Sequence, residues 1–294
     1  LDLDINARTI RVEAGVKIVD VMRITSRQRL MLPVVPGLSD ITVGGCAAFD
    51  VHTKNHWHSG GFGDWVTSFR MLLASGEIIE CSRVSNQEIF FATLGGMGLT
   101  GVIIDLDLKL DKLHGTQVVN HATSVNDLDH LLETFQHATA TSTHAVVWLD
   151  LLNSKVPNGV VIASSIIEDE GADVMALYKP KIKKPLRLIS PFYNKFSNKL
   201  FNLLFSAKYK ATPKYTCSLD AFLFPWDALS NWNNLYGKAG FVEYQCCIPM
   251  KNGREGLAKI LSTVLANKSS YPAYFAAIKR MRDGVGMLSF PVDG

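Results

Sequence analysis

The chain has 294 residues, of which 47% are apolar and 19% charged, a composition that is typical of a packed globular protein and excludes a disordered one. Its formal net charge of +3 is too small to indicate a nucleic-acid partner. The five cysteines form no CxxC pair and the histidines lack metal-ligand spacing, so we expect reduced thiols and no metal site.

The sequence predicts neither a membrane-spanning helix nor a signal peptide. No apolar run approaches the length of a membrane-spanning helix, and no signal peptide opens the chain. The sequence begins at Leu1 within a predicted strand and stops at Gly294 just after another. We therefore expect that segments have been cut away from both ends.

Apolar periodicity and turn residues predict the elements of the first part of the chain. In order, they are a strand at 9–16, a helix at 17–29, a loop at 33–45, an irregular segment at 51–65, a hairpin at 67–82, a short helix at 86–93 and a strand at 102–110. We place a domain boundary between residues 112 and 113, where a new alternation of strands and helices begins.

The second part of the chain shows two loose strand–helix–strand units. The predicted elements are a helix at 126–138, strands at 145–152 and 160–165, a helix at 225–236, a strand at 241–248, a helix at 253–267 and a strand at 273–281. Such a pattern favours the α+β class, with an antiparallel sheet covered by helices over residues 113–294.

Residues 96–101 fit the dinucleotide fingerprint G-x-G-x-x-G, yet their surroundings are wrong for it. The fingerprint requires a preceding strand and a following helix, and here a short helix precedes and a strand follows. The glycines then serve either a tight turn or the close approach of backbone to a cofactor. Two further glycine clusters at 36–45 and 59–63 favour the cofactor, because backbone N–H groups in such loops can hold phosphates.

Several motifs resemble the PCMH-type (vanillyl-alcohol oxidase) family of FAD-dependent flavoproteins, and within it the decaprenylphosphoryl-ribose 2′-oxidases. The blocks at 42–45, 50–56, 61–63 and 94–103 are similar to the FAD-binding core, and those at 232–249 and 288–291 to the substrate domain. The resemblance implies an FAD-binding domain over residues 1–112, without its first part, and a substrate domain over residues 113–294, without its C-terminal end.

The resemblance also implies which residues contact FAD and the substrate. Those expected at the cofactor are Pro36, Gly37, Thr42, Gly44, Gly45, Cys46, Phe49, Asp50, His52, Asn55, His56, Gly60, Phe62, Gly63, Gly96, Gly98, Gly101 and Ile103. Those expected at the substrate are Thr53, Lys54, Trp148, Leu223, Glu243, Gln245, Lys279 and Met281. Thr53, Leu223 and Glu243 depart from the family's glycine, tyrosine and glutamine, which puts the substrate identity in doubt more than the fold.

His52, Gln245 and Lys279 are the candidates for catalysis. Flavin-dependent oxidation of an alcohol needs placement of the substrate, a group that takes the hydroxyl proton and a polar group beside the reduced flavin. One interpretation of His52 is a residue beside the flavin, and in related oxidases a histidine at this position can bond covalently to FAD. The other interpretation is an ordinary loop histidine. Lys279 shares a strand face with apolar residues, so either its pKa falls on burial or its amine reaches water.

Three other substrate candidates leave two interpretations open. Alternation on the strand at 241–248 puts Glu243 and Gln245 on a face that meets a cavity or water, with the opposite face in the core. Lys54 either contacts a substrate phosphate or is a solvated loop cation. Trp148 lines the sugar site or packs in the core.

Residues 174–219 contain ten lysines or arginines and no acidic residue, interleaved with aromatic and leucine side chains. Cationic charge beside an apolar stripe is typical of a segment that lies on an anionic membrane surface. The alternative is a core helix with a solvated basic face. We favour a mobile, membrane-facing lid over the substrate site.

The resulting hypothesis is an FAD-dependent oxidoreductase that oxidises the 2′-hydroxyl of a polyprenyl-phosphate-linked pentose by hydride transfer to flavin N5. A partner reductase would complete an epimerisation, and the protein would be cytoplasmic or peripheral to the inner membrane. One alternative is an oxidase of a soluble sugar lactone or alditol. Another is a non-catalytic flavoprotein-like module that binds a membrane or a partner.

Overall fold

The computed structural model describes residues 1–152, 158–178, 194–228, 240, 242–266 and 274–294. The first part of the chain forms a five-stranded antiparallel sheet in the order β1-β2-β6-β4-β5. Its strands are β1 (Asp2–Asp4), β2 (Thr9–Glu13), β4 (Val66–Leu72), β5 (Ile78–Ser82) and β6 (Val102–Lys109). A small ladder joins β3 (Leu30–Met31) to β7 (Asp111–Lys112).

Strand β6 has one face in the core and one face built of ion pairs. Leu106 and Leu108 are fully buried, and the alternating Asp105 accepts from the guanidinium groups of Arg11, at 2.8 Å, and Arg70. The hydrogen bond from Arg70 lowers the pKa of Asp105. The alternation predicted for this strand is therefore confirmed.

Four short helices accompany this sheet, namely α1 (Ile18–Ser26), α2 (Val43–Ala48), α3 (His56–Ser59) and α4 (Gln87–Thr93). Helix α1 buries Ile18, Val21 and Met22 at the predicted helical spacing. The loop predicted at 33–45 extends too far, because Thr42 accepts a hydrogen bond from the backbone N–H of Gly45 and so starts α2.

The second part of the chain forms another antiparallel sheet, in the order β11-β8-β10-β9-β12. Its strands are β8 (Gln117–Val125), β9 (His144–Asp150), β10 (Asn158–Ile167), β11 (Lys214–Ser218) and β12 (Phe275–Ile278). The helices of this part are α5 (Leu128–Thr141), α6 (Lys195–Ala211), α7 (Leu219–Leu223) and α8 (Gly253–Ala266).

Helices cover both faces of the second sheet. On one face, Leu131 and Phe135 of α5 and Leu261 of α8 pack with Val147 and Val161 of the strands. On the other face, α6 places Phe205 and Tyr209 over the sheet. This arrangement confirms the predicted α+β class, while the domain boundary at 112–113 stays a prediction.

The strand predicted at 241–248 is wrong over the residues that the structure describes. Residues 242–249 join no strand ladder there, and Val242 and Tyr244, predicted to face the core, are 94% and 85% exposed. Alternation requires a neighbouring strand before it becomes a ladder, and in the described residues the outer edge of β12 has no such neighbour. Phe241 itself lies outside the described residues.

Two other predictions fall partly outside the described ranges. Of the helix predicted at 225–236, the structure describes a 3-10 turn, Pro225–Ala228. The basic stretch at 174–219 is described at 174–178 and from residue 194 onwards.

Within the described residues, no helix combines the length and the apolar character needed to cross a membrane. The five cysteines are free thiols.

Candidate active site

The last fourteen residues form a hairpin-like loop, the C-terminal loop (residues 281–294), that returns the chain to the first sheet. Met281 and Gly294 exchange backbone hydrogen bonds, and the N–H of Gly284 donates to the carbonyl of Pro291. The N–H of Met287 donates to the carbonyl of Phe91 on α4. This loop therefore joins the end of the second sheet to the histidine- and glycine-rich segment of the first part.

Asp50 holds the C-terminal loop in place. One carboxylate oxygen accepts from the backbone N–H of Gly63 at 2.8 Å, and the other accepts from the hydroxyl of Ser289 at 2.5 Å. Ser289 Oγ in turn accepts from the N–H of Gly286 at 2.9 Å. Burial raises the pKa of Asp50. Predicted as an FAD contact, Asp50 here connects two loops that are far apart in the sequence.

Arg282 makes a second connection between the C-terminal loop and α3. Its backbone N–H donates to Nδ1 of His56 at 3.1 Å, and its guanidinium donates to Asp64 at 2.8 Å. Burial lowers the pKa of His56 to about 4, so the ring is neutral at physiological pH with its proton on Nε2. That Nε2 is buried without a hydrogen-bond partner among the described residues.

These connections bring Lys279 to His52, although the two residues are 227 positions apart. The amine Nζ of Lys279 lies 3.4 Å from Nδ1 of His52, and the ring of Phe290 stacks on His52 with a 6.0 Å separation of centroids. Burial, and then the charge of Lys279, lower the pKa of His52 to about 3. Burial also lowers the pKa of Lys279.

Gln245 and Glu243 approach the same pair from the segment 242–249. The amide of Gln245 donates to Oε1 of Glu243 at 2.7 Å, and a hydrogen bond with Gln245 partly offsets the lowering of the pKa of His52. The carboxylate of Glu243 partly offsets the lowering of the pKa of Lys279. The structure thus brings together all three catalytic candidates without a strand at 242–249.

Lys54 lies against the second sheet at the other side of this group. Its amine donates to the carbonyl of Phe222 at 3.1 Å and sits 4.1 Å from the centroid of that ring. Burial, followed by the charge of Lys279, lowers the pKa of Lys54 to about 8. His144, on β9, packs edge-on to Phe222 at 5.1 Å, and burial lowers its pKa to about 3.

The sequence interpretation missed His144, Phe222, Arg282 and Phe290 as neighbours of the candidate site. A buried histidine at the first position of a strand carries no distinguishing pattern. The C-terminal loop has no period that would locate Arg282 and Phe290, so their contacts become visible only in three dimensions.

Three substrate candidates have packed or buried side chains. Trp148 packs against Phe205 of α6 with ring centroids 4.4 Å apart, which supports the core-packing interpretation. Leu223 and Met281 are buried. Of the remaining substrate candidates, Thr53 is half-buried between His52 and Lys54 in the chain.

The face of β12 on which Lys279 was predicted is not the core face. Phe275 and Ala277 are exposed, whereas Ala276 and Ile278 pack towards the core. Lys279 is half-buried for a different reason: it follows the end of β12, and its amine lies against His52. The described residues bring no three metal-binding side chains close enough to hold a metal ion.

The cofactor candidates differ widely in exposure. Buried are Cys46, Asp50, Asn55, His56, Gly60, Phe62, Gly63 and Gly96; half-buried are Pro36, Gly37, Thr42, Gly44, Gly45, His52, Gly101 and Ile103; exposed are Phe49 and Gly98. At Gly44 a Cβ atom would approach that of Ala14 to 2.8 Å, so this glycine lets α2 pack closely on the end of β2. Trp226 lies against Gly37.

The turn at Gly96–Gly101 is open at its tip, Gly98. Gly98 has φ of +75° and open space where a Cβ would lie. Met97 and Leu99 are exposed beside it, and the N–H of Met97 donates to Ala48 at the end of α2. Together with the buried, unpartnered His56 Nε2 and Asn55 Oδ1 in the described part, this exposed apolar turn fits a large cofactor with apolar rings and polar edges.

Comparison with known proteins agrees with that fit. Residues 1–82 match the family described as FAD binding domain. FAD is the cofactor that this match supports.

Individual relatives cover different shares of the chain. Over 307 aligned residues, the chain is 28% identical to decaprenylphosphoryl-beta-D-ribose oxidase of Mycolicibacterium smegmatis, an alignment that covers 99% of this chain and 65% of the relative. It is 30% identical to L-gulonolactone oxidase of Bos taurus over 132 residues, 45% of this chain and 30% of that protein. D-arabinono-1,4-lactone oxidase of Yarrowia lipolytica is 29% identical over 126 residues, 42% of this chain and 24% of that protein. The chain thus spans less than two thirds of the length of these relatives.

Proposed function

We propose that this protein is an FAD-dependent oxidoreductase that oxidises a secondary hydroxyl, the 2′-hydroxyl of a polyprenyl-phosphate-linked pentose, to a ketone. The observation that carries the proposal is the pairing of His52 with Lys279 at 3.4 Å, both with lowered pKa. Titratable groups with shifted pKa values cluster at catalytic sites. Here they adjoin a segment that matches an FAD binding domain.

The side chains of this group divide the work of an alcohol oxidation. Bound FAD supplies the hydride acceptor at N5. Lys279, with a lowered pKa, has more neutral amine at physiological pH than an ordinary lysine and accepts the hydroxyl proton. His52 stays neutral and holds that amine in place. Gln245 offers its amide to the sugar hydroxyls.

Lys54 supports a phosphate-bearing substrate. With a pKa of about 8, most of its amine is protonated at neutral pH, and a partly buried cation attracts a phosphate strongly. The similarity over 99% of the chain to a decaprenylphosphoryl-ribose oxidase points the same way. A ketone product would then pass to a partner reductase that restores a hydroxyl of opposite configuration.

An oxidase of a soluble sugar lactone is the second candidate, since two of the relatives are lactone oxidases. Alditols belong to the same class of soluble alcohols. These alternatives need no cation for a phosphate, so Lys54 would be dispensable. A non-catalytic membrane- or partner-binding module is the third candidate, and it would use none of the three catalytic side chains.

The test uses flavin absorbance. We expect the purified protein to take up FAD, and a polyprenyl-phosphate pentose to bleach the flavin band under anaerobic conditions faster than L-gulono-1,4-lactone does. Substitution Lys279→Met should slow bleaching by about 10²- to 10⁴-fold while FAD is retained. The exposed Lys251→Met serves as the control.

The contrary results separate the three candidates. Faster bleaching by the lactone would favour the soluble-substrate oxidase. Retained FAD that no sugar reduces would leave the binding module. A protein that takes up no FAD would overturn both enzyme candidates.

A further inference from the structure

Helix α6 turns polar side chains towards the protein and large apolar side chains towards the outside, the opposite of an ordinary surface helix. Its buried residues include the polar Asn198, Asn202 and Ser206, whereas most of its large apolar side chains are exposed. Exposed fractions of 47% to 77% apply to Phe196, Leu200, Phe201, Leu203 and Leu204. A helix of a soluble protein normally buries its apolar stripe, so this outward stripe needs another explanation.

Hydrogen bonds to the sheet fix the helix in this orientation. The amide of Asn202 donates to Oδ1 of Asp150, at 2.7 Å, and to the carbonyl of Tyr274, at 2.9 Å. Asn194 caps the helix by accepting from the N–H groups of Phe196 and Ser197. A rotation that buried the leucines would break these buried polar contacts. A buried polar group without a partner costs more free energy than an intact hydrogen bond contributes.

The exposed apolar residues form one continuous stripe on the outer surface. Phe196, Leu200 and Leu204 are four residues apart, so they lie one above the other on one side of the helix, with Leu203 beside them. Lysines border this stripe, since 100° per residue places Lys199 and Lys210 along one edge and Lys208 along the other. Residues 194–218 contain no aspartate or glutamate.

We propose that this stripe, formed by Phe196, Leu200, Leu203 and Leu204 with its flanking lysines, docks the protein onto an anionic lipid bilayer. Apolar side chains would enter the boundary between headgroups and acyl chains, and the lysine amines would contact the lipid phosphates. A second copy of this chain fits less well, because two such stripes facing each other would bring lysines together.

Vesicle flotation of the purified protein tests the proposal. We expect it to float with phosphatidylglycerol vesicles, to float much less with phosphatidylcholine vesicles, and to be released as salt is raised. The double variant L203S/L204S should weaken vesicle binding by at least about tenfold, because two apolar side chains would be lost from the lipid contact. The matched control I78S/V84S replaces two exposed apolar residues on the first sheet and its neighbouring turn.

Three outcomes would overturn the proposal. The first is that the unmodified protein fails to float with anionic vesicles. The second is that L203S/L204S binds as the control does, which would mean that another surface contacts the lipid. The third is a concentration-dependent dimer in sedimentation that L203S/L204S abolishes without any lipid binding, which would assign the stripe to a second copy. Flavin uptake and substrate reduction by L203S/L204S, measured with a detergent-dispersed substrate, should equal those of the unmodified protein.

Discussion

The charge of Lys279 lowers the pKa of His52 and that of Lys54, because it disfavours protonation of both. The three side chains therefore form one electrostatic group in which a change at one is felt at the others. If Lys279 is the proton acceptor, its loss should slow flavin reduction by about 10²- to 10⁴-fold and also release its neighbours from repulsion. Loss of a merely structural lysine would release the same repulsion but would leave flavin reduction unchanged once FAD is bound.

Replacement of Lys279 by methionine should therefore raise the pKa of His52 and that of Lys54. Burial, which is the larger cause of both shifts, would remain, so neither pKa should return to its ordinary value. NMR titration of the His52 ring and of the Lys54 amine measures the change, with Lys251→Met as the control. Unchanged values in Lys279→Met would contradict the 3.4 Å pairing.

At the scale of single residues, the sequence predicts more of the site than of its surroundings. Lys279 was selected as a candidate because it shares a strand face with apolar residues, and His52 because of the motif around it. No local sequence pattern could predict that the two side chains are in contact. Their contact depends on the C-terminal loop, which is irregular. Trp148 shows the converse: its strand was predicted at 145–152, but only α6 decides that Phe205 covers it.

At the scale of elements, periodic segments are predictable and irregular ones are not. The hairpin of β4 and β5 and the helices α4, α5 and α8 follow their predicted ranges closely, because burial on one face imposes a period. Residues 242–249 have the alternation of a strand, but alternation records side-chain preference and cannot supply the hydrogen-bonding partner. Only the resemblance located the C-terminal loop. Individual side chains such as Asp50 and Ser289 hold it in place, and such contacts leave no period in the sequence.

The Asp50–Ser289 hydrogen bond should therefore stabilise the whole C-terminal loop. Ser289→Ala leaves one oxygen of a buried carboxylate without its donor and frees the N–H of Gly286. We expect a loss of about 1–3 kcal/mol in the free energy of unfolding, measured by urea denaturation. It should also slow flavin reduction, because the loop positions Lys279 against His52.

Ser262→Ala is the matched control, since that hydroxyl bonds only within the exposed surface of α8 among the described contacts. Its free energy of unfolding should change by less than about 0.5 kcal/mol. Equal stability of the two variants would show that Ser289 does not hold the loop. A loss of stability without any effect on flavin reduction would separate the loop from the catalytic group.

At the scale of the whole molecule, three histidines with lowered pKa make folding sensitive to acid. The folded-state pKa values of His52 and His144 are about 3, and that of His56 is about 4, all below the ordinary value of 6.5. Unfolded chains take up these protons as the pH falls through about 6.5, whereas the folded protein does not until about 4 and below. The unfolded state thus binds more protons in this window, and the free energy of unfolding falls with the pH.

This stability is fully present above about pH 6.5 and is lost as the pH falls towards 3. Each histidine contributes a slope of about 1 kcal/mol per pH unit once the unfolded residue is protonated. The raised pKa of Asp50 opposes this slope, because the folded state then binds a proton more readily than the unfolded state. Three histidines outweigh one carboxyl, so the net effect is destabilisation by acid.

Substitution His144→Gln should therefore flatten the dependence of the free energy of unfolding on pH between about 6 and 5. Urea denaturation at several pH values measures the slope, which should fall by about 1 kcal/mol per pH unit even if the variant is less stable at pH 7. His137→Gln, on the exposed side of α5, is the control and should keep the original slope. An identical slope in both variants would mean that His144 gains a proton in the folded state as easily as in the unfolded state, and that the sheet face around Phe222 and Lys54 admits water.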